Sequence, residues 1–232
     1  MIGTSGYSYP HWKSFYKGPS SLPKYAEHFS TVELNNTFYK FPTPDNIEKW
    51  KSEVPKHFIF AVKAPLLITH RYRLGARAWP ILRKFLRVAK GFGRQLGPIL
   101  FQFPPTFHEN AENVKRVRKL IKACKGFVIA LEFRHQSWDF ESPTKSWPKN
   151  ATLVLPINPD TTLAQIKKWL TLRTDVPFIY VRFHPDKLYR RSLKKIWAAL
   201  EKTKTPKKYI YFNNDLRMYA LEDAAVLKRI AG

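Results

Sequence analysis

Short apolar stretches alternate with longer amphipathic ones along most of the chain. Eight runs rich in β-branched and aromatic residues have the length and the period of strands. These runs cover residues 2–7, 31–39, 58–63, 98–103, 127–134, 151–157, 178–184 and 209–213. Helical periods separate several of them, at residues 79–92, 112–124, 162–170 and 193–201. Asp45 and Asn110 are expected to cap two helices at their N-termini.

Strands that alternate with helices predict a parallel sheet, and eight such units predict a closed (β/α)₈ barrel of the TIM type. A single domain over residues 1–232 is the expected arrangement, and a doubly wound open sheet is the main alternative. One unit is irregular, because the segment between His135 and Ala151 has two prolines and no helical period. The fifth helix is therefore expected to be missing or reduced to a loop.

Polar residues spaced by two mark the ends of several predicted strands. The pairs are Glu33 with Asn35, Ala61 with Lys63 (half-formed), Glu132 with Arg134, Arg182 with His184, and Asn213 with Asp215. Residues two apart on a strand point to the same face of the sheet. Because the active sites of parallel barrels lie at the carboxyl ends of the strands, these pairs predict one polar site.

Acids and bases that converge at strand ends are suited to general acid–base chemistry and to charge stabilisation. The residues expected to act in catalysis are Glu33, Lys63, Glu132, His184 and Asp215. Lys63, on a neighbouring strand, is the expected partner of Glu33. Two structural alternatives stay open: a buried ion pair for Glu33, and mutual neutralisation of Glu132 and Arg134.

No cofactor is predicted from these residues, although one divalent metal ion stays open as an alternative. Its candidate ligands are Glu33, Glu132, His184 and Asp215. The positive charges of Lys63, Arg134 and Arg182 oppose a cation at the same strand ends. The residue types therefore favour an anion pocket over a metal cluster.

The net charge is extreme, with 41 Lys and Arg residues against 17 Asp and Glu residues, or +24 at pH 7. Residues 54–108 contain ten basic residues and no acid. A polyanionic partner would compensate this charge, and nucleic acid is the commonest such partner. A generally basic, solvated surface is the alternative. The cations expected on a nucleic-acid surface are Arg83, Lys84, Arg87, Lys90, Lys115, Arg118, Lys119, Arg190, Arg191 and Lys194.

Membrane and redox signals are few. No apolar run approaches the ~18 residues of a membrane-spanning helix, so no membrane partner is expected. A strand-like run begins at Ile2, which is not the pattern of a signal peptide. Cys124 is the only cysteine, which excludes an internal disulfide and favours a reducing, cytoplasmic setting.

Several strings resemble those of a known family, in the same order. They are IGTSGYSYPHWKSFY, STVELNNTFYKFP, FIFAVKAPLLITH, LGPILFQFPPTF, LEFRHQSW, YVRFH and YIYFNND. By these strings the chain resembles the YecE-like family, also called domain of unknown function 72, over nearly its whole length. The resemblance implies a (β/α)₈ barrel and brings no established reaction. It departs after Trp138, where the usual helix is largely absent, and at Pro185, which replaces a glycine.

The resemblance also implies a set of shared polar and aromatic positions. Beyond the five catalytic candidates, the positions expected to bind substrate are Tyr7, Asn35, His70, Gln102, Arg134, Trp138, Arg182 and Asn213. The first functional hypothesis is an enzyme, a hydrolase or lyase, acting on a phosphate-bearing substrate such as a nucleotide or nucleic acid. The second is a non-catalytic RNA- or DNA-binding module that uses the basic helical faces. The third is a small-metabolite or sugar enzyme with an incidental surface charge.

Overall fold

The computed structural model describes residues 1–138, 149–172, 176–184 and 188–232. Within these residues the eight predicted strands are all present, in the sheet order β1-β8-β7-β6-β5-β4-β3-β2. They are β1 (Ile2–Thr4), β2 (Thr31–Leu34), β3 (Ile59–Lys63), β4 (Leu96–Phe103), β5 (Ile129–Phe133), β6 (Ala151–Ile157), β7 (Ile179–Phe183) and β8 (Lys208–Phe212). The predicted loss of the fifth helix and the loop at Pro185 lie outside the described residues.

Helices separate most of the strands, and the four predicted helical periods all form. The helices are α1 (Lys13–Tyr16), α2 (Leu22–His28), α3 (Asn36–Tyr39), α4 (Pro44–Ser52), α5 (Ala78–Ala89), α6 (Ala111–Ala123), α7 (Leu163–Thr171), α8 (Arg190–Glu201) and α9 (Tyr219–Ala231). Asn110 caps α6 as predicted, because its side chain accepts a hydrogen bond from the Asn113 amide at 2.9 Å. In the part of the chain with described coordinates, no helix has the length and apolarity needed to cross a membrane.

Two local predictions were wrong. The run 31–39 is not one strand, because Asn35 turns into the right-handed helical region and α3 follows at once. The hydroxyl of Thr37 donates to the carbonyl oxygen of Leu34 at 2.8 Å, which holds this turn. At α4 the cap is Thr43 rather than Asp45, since Thr43 and Asn46 exchange hydrogen bonds in a capping box.

The chain divides into two compact units. The first unit comprises Met1–Glu33 and Val154–Gly232, and the second comprises Leu34–Leu153. In the first unit, β1, β8, β7 and the end of β6 pair in parallel. Its interior is rich in fully buried aromatic rings, among them Phe183 and Phe212, whose ring centroids lie 4.3 Å apart. Phe183 and Phe212 are also paired in register, so their stack helps to hold β7 against β8.

The second unit is built on β3, β4 and β5, which also pair in parallel. Helices α5 and α6 bury their apolar faces, including Phe85 and Leu120, and expose their basic ones. Cys124 follows α6 and is fully buried. Burial raises the pKa of its thiol to about 12, so this cysteine stays protonated at neutral pH.

Candidate functional site

The first unit places a buried ion pair at the ends of β2 and β7. Arg182 donates from Nε to Oε2 of Glu33 at 3.1 Å and from Nη2 to Oε1 at 2.9 Å. Ser5 and Tyr180 donate their hydroxyls to the two carboxylate oxygens, each at 2.6 Å. Glu33 is 0% exposed and Arg182 is 1% exposed. We call this group the Glu33 cluster; its members are Ser5, Glu33, Tyr180 and Arg182.

Glu33 is therefore satisfied by four donors within its own unit. The sequence analysis expected Lys63 as its partner, whereas the structure shows Arg182 in that role. A bidentate Arg–carboxylate fork is a strong and rigid contact. The arrangement corresponds to the structural alternative, a buried ion pair that positions strands. Both side chains are almost completely buried, and the expected roles of Glu33 in catalysis and of Arg182 in substrate binding stay predictions.

Buried tyrosines extend this polar layer inside the first unit. The hydroxyl groups of Tyr211 and Thr31 lie 2.7 Å apart, and Tyr25 donates to the Thr31 carbonyl oxygen at 2.9 Å. Burial, and then the Glu33 carboxylate, raise the pKa of Tyr180 well above its ordinary value. These hydroxyls therefore remain protonated, and they serve as hydrogen-bond donors. Sequence reasoning assigned no role to Tyr180, although its position two residues before Arg182 places both on one face of β7.

A second group of polar residues in the first unit follows β8. Asp215 accepts a hydrogen bond from Nε1 of Trp12 at 2.6 Å, and its Oδ2 lies 3.2 Å from Nε2 of His11. Burial raises the pKa of Asp215, and the contacts with Trp12 and His11 oppose that rise. Sequence analysis named Asp215 and missed His11, which comes from a distant part of the chain. The half-exposed His11 makes this pair the more accessible acid–base couple of the first unit.

The other strand-end residues of the first unit are held by the backbone. The amide of His184 donates to the carbonyl oxygen of Ile157 at 2.8 Å, and the amide of Asn213 donates to that of Phe183 at 2.8 Å. Both residues continue the ladder beyond the last assigned strand position. His184 is buried, and Asn213 and Tyr7 are half-buried. Their expected roles in catalysis and substrate binding stay predictions.

In the second unit, cations gather around a half-buried histidine. The ammonium nitrogen of Lys63 lies 4.2 Å from the ring centroid of Phe38, and the ring of His70 meets the same phenyl ring edge-on at 4.9 Å. Arg134 follows β5 and is 45% exposed at its side chain, with Nε 3.6 Å from Oε1 of the buried Glu132. We call this group the His70 cluster; its members are Phe38, Lys63, His70, Glu132 and Arg134.

The backbone around His70 is unusual. Residues Leu67–Arg71 form a π-helical turn after β3. Arg73 and Leu74 then adopt left-handed conformations, with φ of 44° and 57°. Such turns are rare and are frequent at functional sites, and left-handed non-glycine residues carry a conformational cost. The Thr69 hydroxyl, 2.9 Å from Nδ1 of His70, fixes the ring further.

The electrostatics of this cluster are positive. Burial, followed by the charges of Lys63, Arg134 and Arg73, lowers the pKa of His70 to about 4. The carboxylate of Glu132 acts in the opposite direction and is the weakest influence. The imidazole is therefore neutral at pH 7. Sequence reasoning from residue pattern did not find His70, which came only from the family resemblance.

Gln102 and Trp138 lie in the interior of the second unit. Gln102 faces Glu132 across the β4–β5 ladder and is buried. Trp138 is 8% exposed, and its ring stacks on Phe133 at 4.0 Å and on Phe107 at 5.7 Å. Its indole nitrogen donates to the carbonyl oxygen of Phe107 at 2.7 Å. These contacts give Trp138 a packing role, and its expected role in substrate binding stays a prediction.

The metal alternative gains no support from the geometry. Over the described residues, no three His, Cys, Asp or Glu side chains come together in a group that could hold a metal ion. The donors around Glu33 already occupy its oxygens.

The ten cations assigned to a nucleic-acid surface are all exposed, and Arg190 pairs with Glu222 at 2.9 Å. Asn35 lies between β2 and α3 and is half-buried.

Parallel strands that alternate with helices, in this sheet order, define a TIM-type (β/α)₈ barrel protein. The chain belongs to the DUF72 family, since the model described as "Protein of unknown function DUF72" matches residues 1–232. This confirms both the predicted fold class and the family resemblance.

Curated relatives and solved structures agree with this assignment. The UPF0759 protein YunF of Bacillus subtilis (strain 168) is 32% identical over 173 residues, which are 70% of this chain and 61% of YunF. The UPF0759 protein YecE of Escherichia coli (strain K12) is 32% identical over 106 residues, which are 46% of this chain and 38% of YecE. The chain thus spans less than two thirds of either relative.

Two crystal structures have the same fold. A DUF72 family protein from Thermotoga maritima superposes with a TM-score of 0.78 at 24% identity, over 99% of this chain and 98% of the other. One from Enterococcus faecalis superposes with a TM-score of 0.77 at 20% identity, over 98% and 94% of the respective chains. At these identities the structures establish the fold alone.

Proposed function

We propose that the His70 cluster binds the phosphate group of a nucleotide or of nucleic acid. The observation that carries this proposal is the excess of cations around a half-exposed histidine, where Lys63, Arg134 and Arg73 outweigh Glu132. Like charges held close together repel, and an anion placed among them relieves that repulsion. A phosphate group is the biological anion that Lys and Arg side chains recognise best.

The cluster lies where barrels of this class hold their ligands. Lys63 is the last residue of β3 and Arg134 directly follows β5, so both stand at carboxyl ends of strands. His70 reaches the same end through its π-helical turn. A bound phosphate would raise the pKa of His70, and the protonated ring would then donate to it. The Phe38 ring, which contacts Lys63 and His70, would support an adjacent apolar part of the ligand.

The residue roles are revised accordingly. Lys63, His70 and Arg134 bind the phosphate, and Glu132 remains the candidate acid or base of this cluster. Glu33 and Arg182 position β2 and β7. His184 and Asp215 keep their predicted roles as acid–base groups of the first unit.

Titration of inorganic phosphate and of a nucleoside monophosphate, followed by NMR of the His70 ring, tests the proposal. Binding is expected to raise the pKa of His70 from about 4. Lys63→Met should weaken binding about tenfold or more, the value of one charge-assisted contact. Lys56→Met is the matched control, because Lys56 is exposed and precedes β3 at the opposite end of the strand. Equal affinities for both variants, or an unmoved His70 signal, would refute the proposal.

A further inference from the structure

Helices α5 and α6 enclose a groove of about 820 Å³ on the outer face of the second unit. Its floor is apolar and includes Leu82 and Leu86, which are buried. Its rims are cationic, with Arg83 on α5 and Lys115 and Lys119 on α6. Its volume lies within the range of ligand pockets, which is about 300–1,000 Å³. This α5–α6 groove is separate from the His70 cluster in its residues.

The rims have a regular spacing. Trp79 and Arg83 are four residues apart on α5, and Lys115 and Lys119 are four residues apart on α6. Each pair therefore lies on one helix face, about 6 Å apart along the helix axis. The ammonium nitrogen of Lys119 reaches across the groove and lies 4.3 Å from the Trp79 ring centroid. The two helices thus present one aromatic ring, that of Trp79, and a ladder of cationic side chains to the same groove.

The charge of the groove is not compensated by the protein. Glu112 is the one acid among the lining residues, and its carboxylate is bound by Nε of Arg116 at 3.0 Å. Over the described residues, Arg83 and Lys115 make no side-chain hydrogen bond or ion pair. Three exposed cations therefore face an apolar floor without a partner acid. An anion that also carries flat apolar groups matches this surface.

We propose that the α5–α6 groove docks single-stranded nucleic acid, with phosphates on Arg83, Lys115 and Lys119 and a base stacked on Trp79. Single strands are bound by cationic grooves that carry aromatic stacking platforms. A phosphate draws Lys119 off the indole, and the uncovered ring face then accepts a base. A duplex does not fit the ladder, because its bases are already paired and stacked. The proposal does not depend on the function of the His70 cluster.

Fluorescence anisotropy of a labelled oligothymidylate of about ten nucleotides, bound by the full chain, tests the docking surface. The triple variant Arg83→Gln, Lys115→Gln, Lys119→Gln is expected to lower affinity at least tenfold. It should also make the slope of log affinity against log salt concentration less negative by about 2, which is ~0.7 for each lost phosphate contact. The matched control is Lys202→Gln, Lys204→Gln, Lys207→Gln between α8 and β8, which removes the same charge from exposed positions of the first unit that belong to no proposed binding surface. An equal loss of affinity in the control would overturn the proposal.

The stacking step is tested separately with Trp79. Trp79→Ala is expected to weaken oligothymidylate binding about tenfold and to leave inorganic polyphosphate binding unchanged, since polyphosphate has no base to stack. Trp79→Phe should restore most of the affinity and shows that the fold is intact. Equal effects of Trp79→Ala on both polyanions, or tighter binding of a duplex than of the single strand, would overturn the proposal.

Discussion

Arg182 holds Glu33 with two parallel hydrogen bonds in the interior of the first unit, at 2.9 and 3.1 Å. Both side chains are almost completely buried, and Tyr180 and Ser5 complete the hydrogen bonding of the carboxylate. Removing one member of such a pair leaves an uncompensated buried charge. The pair is therefore expected to be energetically coupled, in agreement with the structural alternative of a buried ion pair for Glu33.

Arg182→Met is expected to lower the free energy of unfolding by about 3–5 kcal/mol, because it leaves the buried Glu33 carboxylate without its positively charged partner. Glu33→Gln combined with Arg182→Met should cost less than the sum of the two single variants, since the Glu33 charge is then removed together with its partner. Urea unfolding of the four proteins measures the coupling. Strict additivity would show that the two side chains do not act as a pair.

The ionisation of His70 provides a second prediction. Its pKa is about 4 in the folded chain, against an ordinary value of 6.5. Between these two pH values the unfolded chain binds a proton at this residue and the folded chain does not. This contribution to stability is complete above pH 6.5 and is lost as the pH falls towards 4. Lys63→Met should raise the pKa of His70 by removing the strongest charge acting on it, as an NMR pH titration would show. Lys56→Met should leave the titration unchanged, and a shift of similar size there would contradict the assignment to the cluster.

The contribution of Asp215 to stability is expected to change with pH in the opposite direction to that of His70. Burial raises its pKa, so the ionised form is disfavoured in the folded state, and this penalty disappears as the pH falls through the raised value. Asp215→Asn removes the charge and keeps an acceptor for Nε1 of Trp12. The free energy of unfolding at pH 7 should therefore stay within about 1 kcal/mol of the wild-type value. Asp215→Ala should be clearly less stable, because it leaves the indole N–H without its acceptor, and equal thermal stabilities of the two variants would contradict this.

Two substitutions at Trp138 distinguish a role in packing from a role in ligand binding. Trp138→Ala should cost about 3–5 kcal/mol, because it empties the stack on Phe133 and Phe107. Trp138→Phe keeps a ring in the stack and loses the hydrogen bond to the Phe107 carbonyl, a cost of about 1–2 kcal/mol. Chemical unfolding measures both. The folded Trp138→Phe protein should bind nucleotide and oligothymidylate with wild-type affinity, and a weakened affinity would restore the substrate-binding role that the family resemblance implied.

The strands and the main helices could be predicted because their signals are local. Residues 98–103 and 112–124, for example, carry a period that their own side chains define, and β4 and α6 form there. The run 31–39 was misread because its apolar pattern continues past the point where Asn35 turns the backbone. A pattern of side chains does not record the φ and ψ angles of a single residue.

The site could be predicted only in part for a related reason. The end of β7 was predicted to within one residue, but the partner of Glu33 comes from 149 residues further along the chain. Nothing local distinguishes Arg182 from Lys63 as that partner. His11 and Asp215 are likewise joined by a contact over 204 residues. Such pairings depend on the closure of the strands, which the sequence pattern implies only in outline.

The state of Cys124 has a practical consequence for spectroscopy. It is the only cysteine in the sequence, and its thiol is buried with a pKa raised to about 12, so we expect little reaction with maleimides at neutral pH. A cysteine introduced at an exposed position such as Arg87 or Lys122 would therefore carry a dye or a spin label as the single modified position. Such a label can report local mobility and ligand binding at its position without prior removal of Cys124.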